Sequence, residues 1–99
     1  MEYKLYQVKS EKFSLYNTNL IFYNKQNLYF EDYNLIYTGK IKKDNIYIIL
    51  DRLFENFNIN HPENFNGRSM SISDIIYINK KYYIVMPNGF KEANFNTRD

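Results

Sequence analysis

Apolar and polar positions alternate at the period of a strand through several stretches of this chain, and in one stretch they switch to the period of a helix. Between residues 46 and 57 the side chains Ile46, Ile49, Leu50, Leu53, Phe54 and Phe57 recur at spacings of three and four. That spacing aligns them on one face of an α-helix, with Asp51, Arg52, Glu55 and Asn56 on the other. An amphipathic helix is therefore predicted over 45–57. Asp44 stands just ahead of it, where a carboxylate accepts from the free amides of the first turn and meets the positive end of the helix dipole. Pro62 sets the far limit, because it disfavours helical dihedrals at His61. Burying the six apolar side chains contributes on the order of 1.5–3 kcal/mol each before entropy is subtracted.

Around this helix the period is two. Tyr3, Leu5 and Gln7 alternate with Lys4, Tyr6 and Val8, which predicts a strand with β-favouring residues on both faces. Tyr33 to Ile41 predicts a second strand, with Gly39 at a bulge or bend. Between them, Leu15, Leu20, Ile21 and Phe22 fit neither period cleanly. Asn17 or Thr18 is a candidate cap for a short helix running to about Asn24. After the main helix, Phe65 is expected to plug one end of the core, and Gly67 to permit a positive φ or a close backbone approach. Met70 to Ile78 and Tyr82 to Met86 predict a third and a fourth strand, joined by the hairpin-length connection Asn79-Lys80-Lys81. Pro87-Asn88-Gly89 marks a turn, Phe90 and Phe95 are placed to fold back on the sheet, and the chain is expected to fray from Asn96 onward. Together these predict a single α+β domain over residues 1–99. Its antiparallel sheet has about four strands, with one face covered by the main helix and by the shorter N-terminal one.

The chemistry concentrates between His61 and Asp74. Ser69, Ser71 and Ser73 alternate with Met70 and Ile72, so an extended strand would put three hydroxyls on one face. These serines and Asp74 are candidates to line a polar groove, or to bind an anion with the forked guanidinium of Arg68. The competing reading is that short hydroxylated residues satisfy local backbone amides. His61, the only histidine, is a candidate general base with Glu63 or Asp74 to orient it. Its structural alternative is a bond to a backbone carbonyl that holds the loop. No Gly-x-Ser-x-Gly elbow and no Gly-rich phosphate loop accompanies these residues, so acyl transfer and nucleotide hydrolysis lack their signatures.

Composition narrows the field further. With no cysteine there is no disulfide framework, no thiolate nucleophile and no cysteine zinc site, and one histidine is poor support for a metal, so no metal or other cofactor is expected. The longest apolar run, Ile46 to Leu50, is far short of a membrane span, and the first residues lack a signal pattern. A soluble, cytoplasmic protein is expected. Asparagine, isoleucine, lysine and tyrosine supply 48 of the 99 residues. All four have AT-rich codons, so scattered lysines carry less functional weight here than in a balanced composition. A net charge of +2 is too small to announce nucleic-acid binding and of the wrong sign for a DNA mimic. Lys40, Lys42 and Lys43 near one connection and Lys80 and Lys81 in another, with tyrosines between, still offer the elements that stack single-stranded nucleic acid. The alternative is that these tyrosines are half-buried packing with the hydroxyl at the rim.

The order His61-Pro62-x-x-Phe65-x-Gly67-x-Ser69-Met70-Ser71-Ile72-Ser73-Asp74-Ile75-Ile76, followed by Tyr82-Tyr83 and Gly89-Phe90, resembles the YodL-like domain of Firmicutes chromosomes and mobile elements. Leu5-Tyr6-Gln7-Val8-Lys9, Tyr33-x-x-Ile36-Tyr37-x-Gly39 and Phe57-Asn58 fit the same pattern, so the similarity covers most of the chain. It departs at Asn64, where an acidic residue is frequent, and at Arg68, where a histidine is. The resemblance implies a setting of conjugative elements and phages, alongside antirestriction functions. The expectation is a non-enzymatic interaction protein of a phage or mobile element. It would bind a host defence nuclease of restriction or CRISPR type stoichiometrically, with His61, Glu63, Arg68, Ser69, Ser71, Ser73 and Asp74 as candidate contacts. The alternatives are a single-stranded nucleic-acid-binding module using Lys40, Lys42, Lys43, Lys80 and Lys81, and an enzyme centred on His61 and Asp74.

Overall fold

The alternation at the start of the chain becomes an inner strand of a five-stranded antiparallel sheet. The computed structural model describes residues 1–96. Its elements in order are β1 (Glu2–Val8), α1 (Ser10–Tyr23), β2 (Tyr33–Lys40), α2 (Ile46–Ile59), β3 (Ile75–Ile78), β4 (Lys81–Met86) and β5 (Gly89–Ala93). The sheet order is β2-β1-β3-β4-β5, and each neighbouring pair is antiparallel. The fold class is α+β, as expected, with one strand more than the sequence pattern showed. That strand, β5, carries only Phe90 and Ala93 as partly buried apolar contacts, too few to announce a strand by alternation.

Both faces of the sheet are covered. On one, Tyr3, Leu5, Ile76, Ile78, Tyr83 and Val85 form a cluster with Ile49, Leu50, Leu53 and Phe57 of α2. On the other, Tyr6, Val8, Ile75 and Ile84 cluster with Tyr16 and Leu20 of α1. Successive strand residues point to opposite faces, so the two helices lie on opposite sides of the sheet. This differs from the expected single covered face. The reason lies in β1 and β3, whose residues are buried on both sides, as in any strand between two layers.

A bulge in β2 adjusts one of these faces. Leu5 pairs with Tyr37 but Tyr6 pairs with Leu35, which leaves Ile36 as the extra residue. Ile36 and Tyr37, adjacent in sequence, therefore both pack against the α2 cluster. The bulge sits here and not at Gly39. Gly39 serves a close approach instead: a Cβ on it would stand 2.7 Å from the Tyr3 hydroxyl.

The helix termini follow local chemistry. α2 is capped by Asn45, whose side chain accepts from the Tyr47 N–H at 3.0 Å. Asp44 is displaced from the expected capping role by one residue. It accepts from the Asn45 N–H at 2.7 Å and pairs with Arg52 at 3.2 Å on the surface. α1 is twice the expected length. It starts after Lys9, with no side-chain cap, and closes at Asn24, which takes the left-handed conformation at φ 53°. Asn17 and Thr18 are interior to it.

Past α2, Phe65 stacks edge-on against Phe57 at 4.9 Å between centroids, filling the core end as predicted. The segment Ser69 to Asp74 is not strand: a turn at Ile72 and Ser73, with Ser73 at φ 87°, delays β3 to Ile75. The β3–β4 connection is the two-residue turn Asn79-Lys80 with φ 53° and 65°, the positive pair that a type I′ hairpin requires. Phe95 packs on the α1 side against Phe30, Tyr33 and Tyr82. Asn96 is not frayed: its N–H donates to the Leu28 carbonyl at 2.6 Å. The rest of the segment expected to fray, residues 97–99, lies outside the described residues.

Leu53 is 1% exposed at the centre of the α2 face. Leu53→Ala is expected to cost about 2–5 kcal/mol in urea denaturation, and Leu53→Asp to abolish the cooperative transition. A soluble Asp variant with the parent Tm would refute the seating of α2 on the sheet.

Candidate functional site

The crossover from α2 to β3 has almost no regular structure, so its backbone polar groups need partners from elsewhere. Gln7 supplies them from the middle of the sheet. Its Oε1 accepts from the Arg68 N–H at 3.0 Å, while its Nε2 donates to the Arg68 carbonyl and to Asp74 Oδ2, each at 2.9 Å. The side-chain amide thus pairs with Arg68 as a neighbouring strand would. Asp74 Oδ2 also accepts from the Ser71 N–H at 3.1 Å, and the Asp74 N–H donates back to the Ser71 carbonyl at 3.0 Å. Arg68 reaches the other way. Its Nη2 donates to the Val8 carbonyl at 2.8 Å, and its guanidinium lies 4.1 Å from the centroid of the Phe13 ring in α1. Gly67 must be glycine for a steric reason, since a Cβ would stand 2.6 Å from Gln7 Oε1.

Asp74 is fully buried. Burial pushes its carboxyl up to about 7, against the opposing pull of the Gln7 amide, the Ser71 N–H and the Arg68 guanidinium. Its Oδ1 has no partner among the described residues, nor has the buried Ser73 Oγ beside it. Tyr33 closes the network by donating to the Ser73 carbonyl at 2.7 Å. Its own pKa is raised by burial first, then by Tyr16, Asp74 and Asp32, so it remains a donor throughout the physiological range.

The seven candidate contacts are therefore not one surface. His61, Glu63 and Ser69 are exposed, Arg68 and Ser71 are half-buried, and Ser73 and Asp74 are interior. The guanidinium of Arg68 is engaged through Nη2 by the Val8 carbonyl and lies near Phe13, while its Nε is buried without a partner among the described residues. The serine alternation places no row of hydroxyls on a face, because the chain turns at Ser73. His61 Nδ1 lies 3.1 Å from the carbonyl of Pro62 and its ring rests 5.5 Å from that of Phe65. It shares no hydrogen bond with either expected orienting carboxylate, Glu63 or Asp74, among the described residues. Among the described residues no group of three or more His, Asp or Glu side chains is placed to hold a metal ion, and no helix is long and apolar enough to cross a membrane.

What the crossover does position is one wall of a groove of about 580 Å³ at the β4–β5 end of the sheet. Met70, Ser71 and Ile72 form that wall, Asn17 and Ile21 of α1 and Phe54 of α2 overhang it, and Met86, Pro87 and Phe90 close the far side. Of the predicted contacts only Ser71 reaches it. Sequence reasoning missed the groove because its residues come from four separate segments. The one available signal was the poor periodicity of residues 10–24.

The lysines fall at the opposite end. Lys40 ends β2, Lys42 and Lys43 follow it, and Lys80 and Lys81 form the β3–β4 hairpin. The pairings Glu2 to Lys40 and Ile78 to Lys81 place both groups at one end of the sheet. All five are exposed, and Lys81 is paired with Glu92 at 3.2 Å.

Asp74 makes the network testable through its linkage to pH. A carboxyl whose folded pKa of about 7 lies above its ordinary value of 3.8 holds its proton longer in the folded state than in the unfolded one. Its contribution to stability is therefore greatest below pH 4, declines through the window up to about 7, and is flat above it. Asp74→Asn keeps an acceptor for Gln7 and Ser71 and removes the titration. Unfolding free energies from urea titrations should fall by about 2–4 kcal/mol more between pH 4 and pH 7 in the parent than in the variant. Parallel profiles would show that the buried carboxyl does not titrate in this window.

The family model of the YodL-like domain matches residues 2–95. That match takes in β1 with Gln7, the crossover with Gly67, Arg68 and Asp74, and both helices that overhang the groove. No curated protein and no solved structure matches the chain. Spanning nearly every element described above, the match shows that this chain belongs to the YodL-like domain family.

Proposed function

We propose that this chain is a non-enzymatic binding protein of a phage or mobile element that acts by stoichiometric contact with a host defence nuclease of the restriction or CRISPR type. The observation that supports binding is the outer side of α1. Leu15 is 52% exposed, Ile21 50%, Phe22 76% and Tyr23 73%. Leu15 and Phe22 are seven residues apart, two turns along one face. Four large apolar side chains left in water on one helix, beside an apolar groove, form the kind of surface that binding partners cover. The partner class rests on the genetic company implied by the family resemblance.

A second reading, a single-stranded nucleic-acid-binding module, is favoured by the convergence of Lys40, Lys42, Lys43, Lys80 and Lys81 at one end of the sheet. Glu2, Asp44 and Glu92 are interspersed with these lysines at that end, which weakens its field and leaves the α1 surface as the stronger candidate.

Two measurements separate these readings. In the first, inhibition of purified defence nucleases from the host is titrated; it should saturate at a fixed molar ratio, and Phe22→Glu should weaken it more than tenfold, as loss of an aromatic anchor does. Inactivation at a small fraction of the nuclease concentration would instead indicate an enzyme. In the second, single-stranded oligonucleotides are titrated at low and high salt. Affinity that falls steeply with salt supports the module, and no affinity at low salt removes it.

A further inference from the structure

The geometry points to the β4–β5 groove as an anchor site for a segment of a partner protein that inserts one large apolar side chain next to a lysine or arginine. This deepens the binding reading above and rests on it. The size fits: about 580 Å³ lies within the range of sites that enclose a compact apolar group. The walls fit as well. Ile21, Phe54, Ile72 and Phe90 provide branched and aromatic contact, and Met70 and Met86, two of the three methionines in the chain, provide flexible, polarisable surface that adapts to a ring.

The polar groups in the groove set the sign of what enters. Among the described residues Asp51 is the one charged side chain in the lining. It is exposed, and its neighbour Arg52 is engaged by Asp44 at 3.2 Å. One carboxylate, with no cation among the described lining residues, favours an occupant that carries positive charge and disfavours one that carries a carboxylate. The groove is also continuous with the exposed side of α1 through Ile21, which is half exposed and lines it. A segment seated in the groove would therefore continue across Phe22.

The test uses the full chain, labelled with ¹⁵N, and two probes: N-acetyl-phenylalanyl-arginine amide and N-acetyl-phenylalanyl-glutamate amide. Amide shifts are followed to millimolar probe. The arginine probe should give saturable shifts at Asn17, Ile21, Met70, Ile72 and Phe90, and should bind about threefold more tightly than the glutamate probe, the effect of a partly exposed ion pair. In Asp51→Asn, whose position is on the solvent side of α2, that preference should vanish while the shifts remain. Absence of saturable shifts in the groove, or equal affinity for both probes in the parent protein, overturns the assignment. If the probes fail while nuclease inhibition stands, the anchor site falls and the binding reading survives. If the probes bind as expected and inhibition fails, the groove stands and the nuclease is the wrong partner.

Discussion

The carboxamide of Gln7 is the interaction on which the groove-bearing end of this molecule depends. It sits on an inner strand, 2% exposed, where an amide without partners would be strongly unfavourable. All three of its hydrogen bonds go to the crossover between α2 and β3. Breaking any of them leaves a buried donor or acceptor on both sides, so the loop and the strand are held to one relative position. That position requires glycine at 67, where the backbone passes too close to Gln7 for a Cβ. It also fixes where Met70, Ser71 and Ile72 emerge, and these three form one wall of the groove. Sheet, loop and groove are thus connected through one side chain.

With a helix on each face of the sheet, the inner strands β1 and β3 are largely covered on both sides. Exposed surface is left at the strand ends, at the edges and on the outer sides of the helices. The two ends differ in kind. The end at the β3–β4 hairpin carries lysines interspersed with carboxylates, and the end at the β4–β5 hairpin carries the apolar groove with Asp51 in its lining. The modest net charge of +2 therefore conceals an uneven arrangement, with five lysines at the end of the sheet opposite the groove. The edge strands limit unwanted pairing by familiar means: β2 is kinked by the Ile36 bulge, and β5 is five residues long and bears Lys91 and Glu92.

How much of this was legible in the sequence depended on whether each element faces one environment or two. α2 buries a single stripe, so Ile46 to Phe57 showed its period directly and the boundaries held to within two residues. α1 buries Tyr16 and Leu20 but exposes Leu15, Ile21, Phe22 and Tyr23, so its apolar residues surround the helix and the period is lost. The bulge in β2 had a visible trace, since Leu35, Ile36 and Tyr37 are apolar in succession and break alternation at the right place; Gly39 was the wrong residue to watch. Alternation misled at Ser69 to Ser73, because a period of two describes a strand only where a neighbouring strand is present to pair with it. Asp74 bonding back to Ser71 turns the chain before β3 begins. The groove was illegible for a different reason: Asn17, Phe54, Ile72 and Phe90 meet only in three dimensions.

The features that sequence reasoning handled worst are also the ones that lower stability. Asp74 is a carboxyl held in the interior with one oxygen unpartnered among the described residues, and the outer residues of α1 are apolar groups in water. An apolar pair of similar shape in place of Gln7 and Asp74 would leave the Arg68 N–H and carbonyl and the Ser71 N–H without these partners, at the desolvation cost of each group that stays buried. Such a pair would not hold the backbone of Arg68 and Ser71, because apolar contact has no direction. Directional bonding specifies the path of the loop, and the loop specifies the groove. A chain selected for stability alone would have no use for either, whereas a chain selected to present a surface requires both. Local rules are broken at Asp74, which fixes the path of the crossover, and along α1, whose Asn17 and Ile21 line the groove.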